Sequence, residues 1–307
     1  MDTNLKLGIV IPAYNEESTI SSVVEELNQV ITSLNYISEY TIVVVDDGSK
    51  DSTRHKAENL QNTIVLSSGY NRGIGHAVRT GLQFVEKRNF DLILKIDADF
   101  QHEISEIPMI LEPLITNNAD LVYGDRFSGS IEYKMPKLRK IGNRFFTKLM
   151  SYITQYDISD SQPGLFAGNN LFLKNVSIFS DYNYTQQVLY SSYLAGLRFT
   201  QVPITFKKRL HGESFVKLSY PFKALFQIFI LVLTKNPMRI FGFLAFLFLS
   251  FATTVALIDL NSYFLGLSQK PIDKVNLVLG FGLVGFQLLF TGIILKSISN
   301  IENYIRK

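Results

Sequence analysis

The sequence predicts an α/β domain with a mostly parallel sheet, followed by an interfacial helix and two transmembrane helices. Three observations carry this reading. Short apolar runs alternate with amphipathic stretches between Leu7 and Phe206. Several of those runs stop abruptly at carboxylates. Beyond Pro221 the chain loses almost all of its charge over long stretches. Strand, helix and strand at such spacing give a parallel sheet with helices on both faces.

Leu7-Gly8-Ile9-Val10-Ile11-Pro12 reads as a first buried strand ending at a proline, and Ala13 to Ser18 as a loop. Ser18 is placed to cap a helix from Thr19 to about Leu34, with Ile20, Val23, Val24, Leu27, Val30 and Ile31 on one face. Thr41 to Val45 is a second strand, running into the acidic turn Asp46-Asp47-Gly48-Ser49-Lys50-Asp51. Thr63 to Leu66 is a third. The glycine-rich turn Asn71-Arg72-Gly73-Ile74-Gly75 then enters a helix, whose N-terminus suits a phosphate. A dinucleotide fingerprint is disfavoured there, because Val78 stands where the third glycine belongs and the turn follows the third strand.

Leu92 to Ile96 is the fourth strand, ending in Asp97-Ala98-Asp99-Phe100-Gln101-His102. Ligands of open α/β sheets bind just beyond the carboxyl ends of strands. Residues i and i+2 of a strand share a face. Asp97 and Asp99 can therefore converge on Mg²⁺ or Mn²⁺, with Gln101 as a third oxygen ligand. Such ions take one or two carboxylates plus substrate phosphates. A strand ending in a solvated acidic turn is the plain alternative.

Leu121 to Phe127 reads as a fifth strand, and Ser128 to Arg144 as a mobile basic loop leading into a helix. Arg139, Lys140 and Arg144 there face either an anionic substrate or solvent. Asp157 to Gly164 is a polar turn, and Phe199 to Phe206 is an edge strand because it contains Pro203. Ala224 to Leu233 is too short to span a bilayer and reads as an interfacial helix. Ile240–Ile258 and Leu277–Leu295 each approach the roughly twenty apolar residues a spanning helix needs. Neither shows the polar face of a helix packed on a soluble core. Lys235 and Arg239 precede the first, and Lys296, Arg306 and Lys307 follow the second, so both termini are expected in the cytosol.

Composition sets further bounds. The 307 residues allow two domains or one large one, and a mean hydropathy of +0.14 is high for a soluble protein. With no cysteine, a metal must use oxygen or histidine ligands. A net charge of +3 argues against a nucleic-acid partner. The segment Met1 to Lys6 lacks a basic region followed by a long apolar run, so no cleavable signal peptide is expected.

Taken together, these blocks resemble the family 2 glycosyltransferases, and among them the polyprenyl-phosphate sugar synthases. The most specific matches are Ile11-Pro12-Ala13-Tyr14-Asn15-Glu16, Val45 to Asp51, Asn71 to Gly75 and Asp97 to His102. Gly124-Asp125-Arg126-Phe127, Asp160 to Gly164 and Arg209 to Ser214 follow in the expected order. The resemblance implies a cytosolic GT-A-type nucleotide-sugar-binding domain over 1–218, a juxtamembrane interfacial helix over 219–236 and a two-helix anchor over 237–307. It implies an inverting, metal-dependent transfer of a hexose from UDP-glucose or GDP-mannose to undecaprenyl or dolichyl phosphate.

It also assigns roles. Pro12, Tyr14, Glu16, Asp46, Asp47 and Gly75 border the nucleotide. Asp97 touches it, and Asp97, Asp99 and Gln101 hold the metal on the diphosphate. Arg126, Arg139, Arg209 and Ser214 meet the acceptor phosphate. Asp160 is the catalytic carboxylate, with Asp99 acting through the metal. Membrane lipid is a partner, and a homo-oligomer is compatible. Two departures touch the acceptor side: Leu165-Phe166 follow Gly164 where the family often has an aromatic and a basic residue, and Phe215 follows Ser214 where it often has lysine. A processive polysaccharide synthase is the rival enzyme, but its Gln-x-x-Arg-Trp motif cannot occur in a chain without tryptophan. A non-catalytic nucleotide-binding membrane module is the rival of another class, and no expected carboxylate is missing to favour it.

Overall fold

The computed structural model describes residues 4–133, 135–208 and 220–305, and the chain divides into two compact units, Met1–Ala224 and Leu225–Lys307. The first unit carries β1 (Leu5–Ala13), α1 (Ile20–Thr32), β2 (Ile37–Asp46), α2 (Thr53–Glu58), β3 (Thr63–Ser67), α3 (Ile74–Lys87) and β4 (Leu92–Lys95). It continues with α4 (Ile107–Ile115), β5 (Leu121–Ile131), α5 (Lys137–Thr154), β6 (Phe166–Asn169), α6 (Asn170–Asn175), α7 (Tyr184–Leu194) and β7 (Phe199–Phe206).

The strands form one seven-stranded sheet in the order β3-β2-β1-β4-β6-β5-β7. Only β6 runs against its neighbours β4 and β5. β7 lies at an edge, where a strand proline is tolerated. Pro12 sits in an interior strand, yet its missing N–H leaves no ladder bond unmade. Val10 O accepts from Ile96 N on the β4 side, and Pro12, two residues on, looks the same way. By that height β4 has ended, since its last paired residue, Lys95, stands opposite Val10.

Apolar periodicity builds the core. Ile20, Val23, Val24, Leu27 and Ile31 of α1 are buried with Leu7, Ile9 and Ile11 of β1 and Leu92 and Leu94 of β4. Each such side chain contributes about 1.5–3 kcal/mol on burial.

Three local expectations are corrected. Ser18 does not cap α1. Thr19 flanks the helix, and its hydroxyl turns back to Glu16 O at 3.3 Å. The expected loop over Ser128 to Arg144 is largely ordered: 128–131 continue β5, paired at Ser130 with Thr205 of β7, and 137–144 already belong to α5. β4 stops at Lys95, so Asp97 and Asp99 lie on a turn and not on strand faces, and Phe100 there has φ of 60°.

α8 (Tyr220–Lys235) crosses the boundary between the units. The second unit is dominated by α9 (Pro237–Phe264) and α10 (Val275–Ile305). Both run past the apolar segments expected from sequence. They meet through Phe251 and Phe281, with ring centroids 4.5 Å apart, and through Gly285, where a Cβ would lie 2.7 Å from Leu249. Small residues at the crossing let the backbones approach, as between helices in lipid. The other faces expose Phe243, Phe246, Leu257 and Leu283, and both helices are long and apolar enough to cross a membrane.

Candidate active site

The carboxyl ends of β1, β2 and β4 point one way, and the acidic residues gather there. Asp46 closes β2 with both oxygens engaged, accepting from Ser49 N at 3.0 Å and Ser67 Oγ at 2.8 Å. Asp47 is turned toward the glycine-rich turn. Its carboxylate accepts from Arg72 N at 3.0 Å and Gly73 N at 2.7 Å. The turn is clamped on its other side. Gly75 N donates to Asp181 O at 3.2 Å, and a Cβ on Gly75 would lie 2.6 Å from that backbone. Glycine at position 75 thus serves a close approach of two backbones. Arg79 completes the clasp, reaching Asp181 Oδ1 at 2.8 Å. Pro12 is buried, and Tyr14 and Glu16 are half-buried on the loop after β1. Glu16 N donates to Thr53 Oγ1 at 2.8 Å and ties that loop to α2.

Beyond β4 lies a cluster that the sequence reading passed over in part. Lys95 is wholly buried, and its ammonium bonds Asp97 Oδ1 and, at 2.9 Å, Gly164 O. Asp97 Oδ2 is 3.9 Å from His102 Nε2, too far for a hydrogen bond, and neither ring nitrogen of buried His102 has a partner. Burial opposes ionisation of Asp97, but Lys95 and His102 hold its carboxyl well below the usual range. Gly164 closes this pocket. A Cβ there would lie 2.1 Å from Asp97 Oδ2 and 2.5 Å from His102 Nε2.

A second ion pair stands beside it. Arg126 of β5 grips the fully buried Asp160 in a fork, Nε to Oδ2 at 2.6 Å and Nη2 to Oδ1 at 3.0 Å. Asp160 Oδ1 also accepts from Asn143 Nδ2 at 3.0 Å and Gln162 N at 3.1 Å. Burial alone would raise the Asp160 carboxyl, but Arg126 and Asn143 hold it below the usual range. Arg126 Nη2 further donates to Gln162 O at 2.7 Å, and its guanidinium lies 5.1 Å from the Phe206 ring centre. Phe206 also packs on His102 at 5.3 Å. The charge of Asp97 reaches Arg126 as well, after that of Asp160. One short segment, Asp160 to Gly164, therefore holds Arg126 at one end and Lys95 at the other.

Asp99 Oδ1 accepts from Gln101 N at 3.2 Å. Gln101 Nε2 donates to Lys207 O at 3.0 Å, which leaves its Oε1 as the free end of the amide. Among the described residues no group of three or more His, Asp or Glu side chains forms a ready-made metal cage. Two carboxylates and one amide oxygen do suit a hard divalent ion that draws its remaining ligands from a diphosphate. The resemblance-based set is thus partly gathered: Asp97, Arg126 and Asp160 share one cluster, and Asp99 and Gln101 follow on the same turn. Arg139 is not gathered with them, being exposed on α5 with Nη1 3.4 Å from Tyr133 Oη. Arg209 and Ser214 lie outside the described residues. The sequence assigns no role to Lys95 or Asn143, and marks Gly164 only as the end of a matched block. A lysine inside an apolar strand was the one available signal.

A mostly parallel sheet with an acidic turn beyond its fourth strand is the GT-A glycosyltransferase fold. It superimposes on glucosyl-3-phosphoglycerate synthase from Mycobacterium tuberculosis, solved with Mn²⁺, uridine diphosphate and glucosyl-3-phosphoglycerate, with a TM-score of 0.57 at 20% identity over 75% of this chain and 79% of that one. Residues 8–176 match glycosyl transferase family 2, and the chain belongs to that family. It is similar to the UDP-N-acetylglucosamine–dolichyl-phosphate N-acetylglucosaminyltransferase of Methanococcus voltae, 32% identical over 55% of this chain and 71% of that enzyme. It is also similar to the undecaprenyl-phosphate mannosyltransferase of Micrococcus luteus, 28% identical over 68% of this chain and 87% of that enzyme.

Proposed function

We propose that this glycosyltransferase moves a hexose from a nucleotide-diphosphate sugar, UDP-glucose or GDP-mannose, to the phosphate of a polyprenol, at the cytosolic face of a membrane spanned by α9 and α10. The observation that carries the reading is the Asp160–Gly164 segment, which joins an acidic donor end at Asp97 to a cationic acceptor end at Arg126. Relatives whose names specify dolichyl or undecaprenyl phosphate support the acceptor class.

On the donor side, Pro12, Tyr14, Glu16 and the Asp47-held turn line the nucleotide. Asp97, Asp99 and Gln101 would hold Mg²⁺ or Mn²⁺, which supplies Lewis-acid neutralisation of the leaving diphosphate when bound. On the acceptor side, Arg126 keeps Nη1 for a phosphate, because Asp160 and Gln162 occupy its other donors. Arg139, Arg209 and Ser214 complete that side. The attacking group is a phosphate oxygen. Its second pKa is near 6, so at pH 7 it needs little help to lose a proton. Asp160, ionised and with both oxygens bonded, suits the task of aiming Arg126 better than that of a base. A single displacement inverts the anomeric centre.

The test uses the full chain in membranes, with labelled nucleotide sugars, polyprenyl phosphate and Mg²⁺ or Mn²⁺. A labelled lipid monophosphate sugar is expected, and Asp99→Asn nearly abolishes it with the fold intact. A labelled polymer, or free sugar alone, would sink the proposal. Turnover unchanged by a chelator would remove its metal.

A further inference from the structure

α5 has two unlike faces. Inward, Asn143 holds Asp160, Thr147 Oγ1 lies 3.1 Å from Ser161 Oγ, and Phe146, Met150 and Ile153 are buried. Outward, Lys137, Lys140, Ile141, Arg144, Phe145, Lys148 and Tyr152 recur at the spacing of one helical stripe, and all are exposed. Ile141 is 66% exposed, Phe145 52% and Tyr152 71%. A surface helix seldom leaves such side chains to water in a row. The charge is as one-sided as the apolarity. α5 bears Lys137, Arg139, Lys140, Arg144 and Lys148 and no carboxylate. Among the described residues, no carboxylate pairs with Lys137, Lys140, Arg144 or Lys148. Other helices of this unit differ: α1 carries Glu25 and Glu26, and α3 mixes Arg79 and Lys87 with Glu86.

We infer that the outward face of α5 docks on an anionic bilayer surface. Aromatic and aliphatic side chains flanked by lysine and arginine are the composition of a helix lying in a lipid interface, where the apolar face sinks about 5–10 Å below the headgroup boundary. Cations near such a surface add attraction that salt weakens. The same chain carries two helices able to cross a membrane, so a bilayer is tethered to this unit. Docking would fix the orientation of the Asp160–Arg126 pair relative to the lipid plane, because the docked helix is the one that holds Asp160. The docking does not depend on the acceptor proposed above, and only this consequence rests on that reading.

The chain has no tryptophan, so Phe145→Trp installs a single reporter. The full-length variant is reconstituted in vesicles of phosphatidylcholine and phosphatidylglycerol. Its emission is expected to be blue-shifted, and quenched more by lipid brominated high on the acyl chain than near the chain end. Met109→Trp, an exposed position on α4, should stay red and unquenched. Replacing Lys137, Lys140, Arg144 and Lys148 by Gln, or omitting phosphatidylglycerol, should abolish most of the quenching. Red, unquenched emission from Phe145→Trp overturns the inference. So does a blue shift that bromine does not quench, which would place a second copy or another protein on this face. The paired change Ile141→Gln and Phe145→Gln should reduce transfer to vesicle-embedded polyprenyl phosphate several-fold and spare a short soluble analogue. If no polyprenyl phosphate accepts sugar at all, the proposed function fails while the quenching result still decides the docking.

Discussion

Asp97 and Asp160 are both depressed carboxylates bonded to a buried cation, and they use their oxygens differently. Asp160 has both oxygens bonded, by a forked arginine, an amide and a backbone N–H. Asp97 gives one oxygen to Lys95, and its other lies 3.9 Å from His102 with no hydrogen bond among the described residues. The first arrangement aims a neighbour, and the second leaves room for a ligand. Their cations differ too. Arg126 meets Asp160 in a two-bond fork, whereas Lys95 divides its ammonium between Asp97 and Gly164 O.

The largest expected effect follows from that difference. Asp160→Asn strands a buried guanidinium and should cost about 3–5 kcal/mol of stability. Asp97→Asn should cost clearly less, because Lys95 keeps its bond to Gly164 O and Asp97 is only half-buried, while transfer collapses. Thermal midpoints of the two full-length variants in detergent, set beside their turnover, check this. Equal losses of stability would break the distinction.

Gly164→Ala is a smaller perturbation aimed at one side only. The added methyl group meets Asp97 and His102, and overpacking of that kind costs about 1–3 kcal/mol. Donor affinity should fall while affinity for the polyprenyl phosphate holds. A parallel loss of both would show that the two carboxylates do not act separately.

The smallest effect is the acid response. Both carboxyls are depressed on folding. A depressed carboxyl contributes stability that is fully present above its unfolded pKa, near 3.9, and is lost as pH falls through its lower folded value. Unfolding free energy should therefore stay level on their account from pH 7 to about 5 and decline below about 4. Asp160→Asn should shallow that decline by the share of one proton, and an unchanged acid slope would contradict the pairing.

The parallel strands, α1, α3 and the edge position of β7 were legible because each carries its own period or punctuation. The region between Phe166 and Leu194 was not. β6 has only four residues. α7 buries Thr185, Gln186, Gln187, Ser191 and Ser192, so no apolar stripe announces it. Gln187 is bonded to backbone at Phe179, Ser180 and Tyr182, partners that only the fold supplies. The acidic motifs gather in one neighbourhood, at the carboxyl ends of β1, β2 and β4. They could not tell a carboxylate saturated by the protein, such as Asp46 or Asp160, from one left open. That depends on chain segments tens of residues away. Lys95 shows one partner in sequence, Asp97 two residues on, and the other, Gly164 O, is supplied only by the fold.

The reversed strand β6 has one further consequence. Running against β4 and β5, it begins opposite the last residue of β4, and Phe166 pairs with Lys95 on one side and Tyr123 on the other. The distance between the Lys95–Asp97 pair and the Arg126–Asp160 pair is thus read off a backbone ruler, graduated in steps of about 3.3 Å. A slip by one graduation would also turn every side chain of β6 to the opposite face. Loops around this cleft are free to vary by degrees, whereas its span can change only by whole notches.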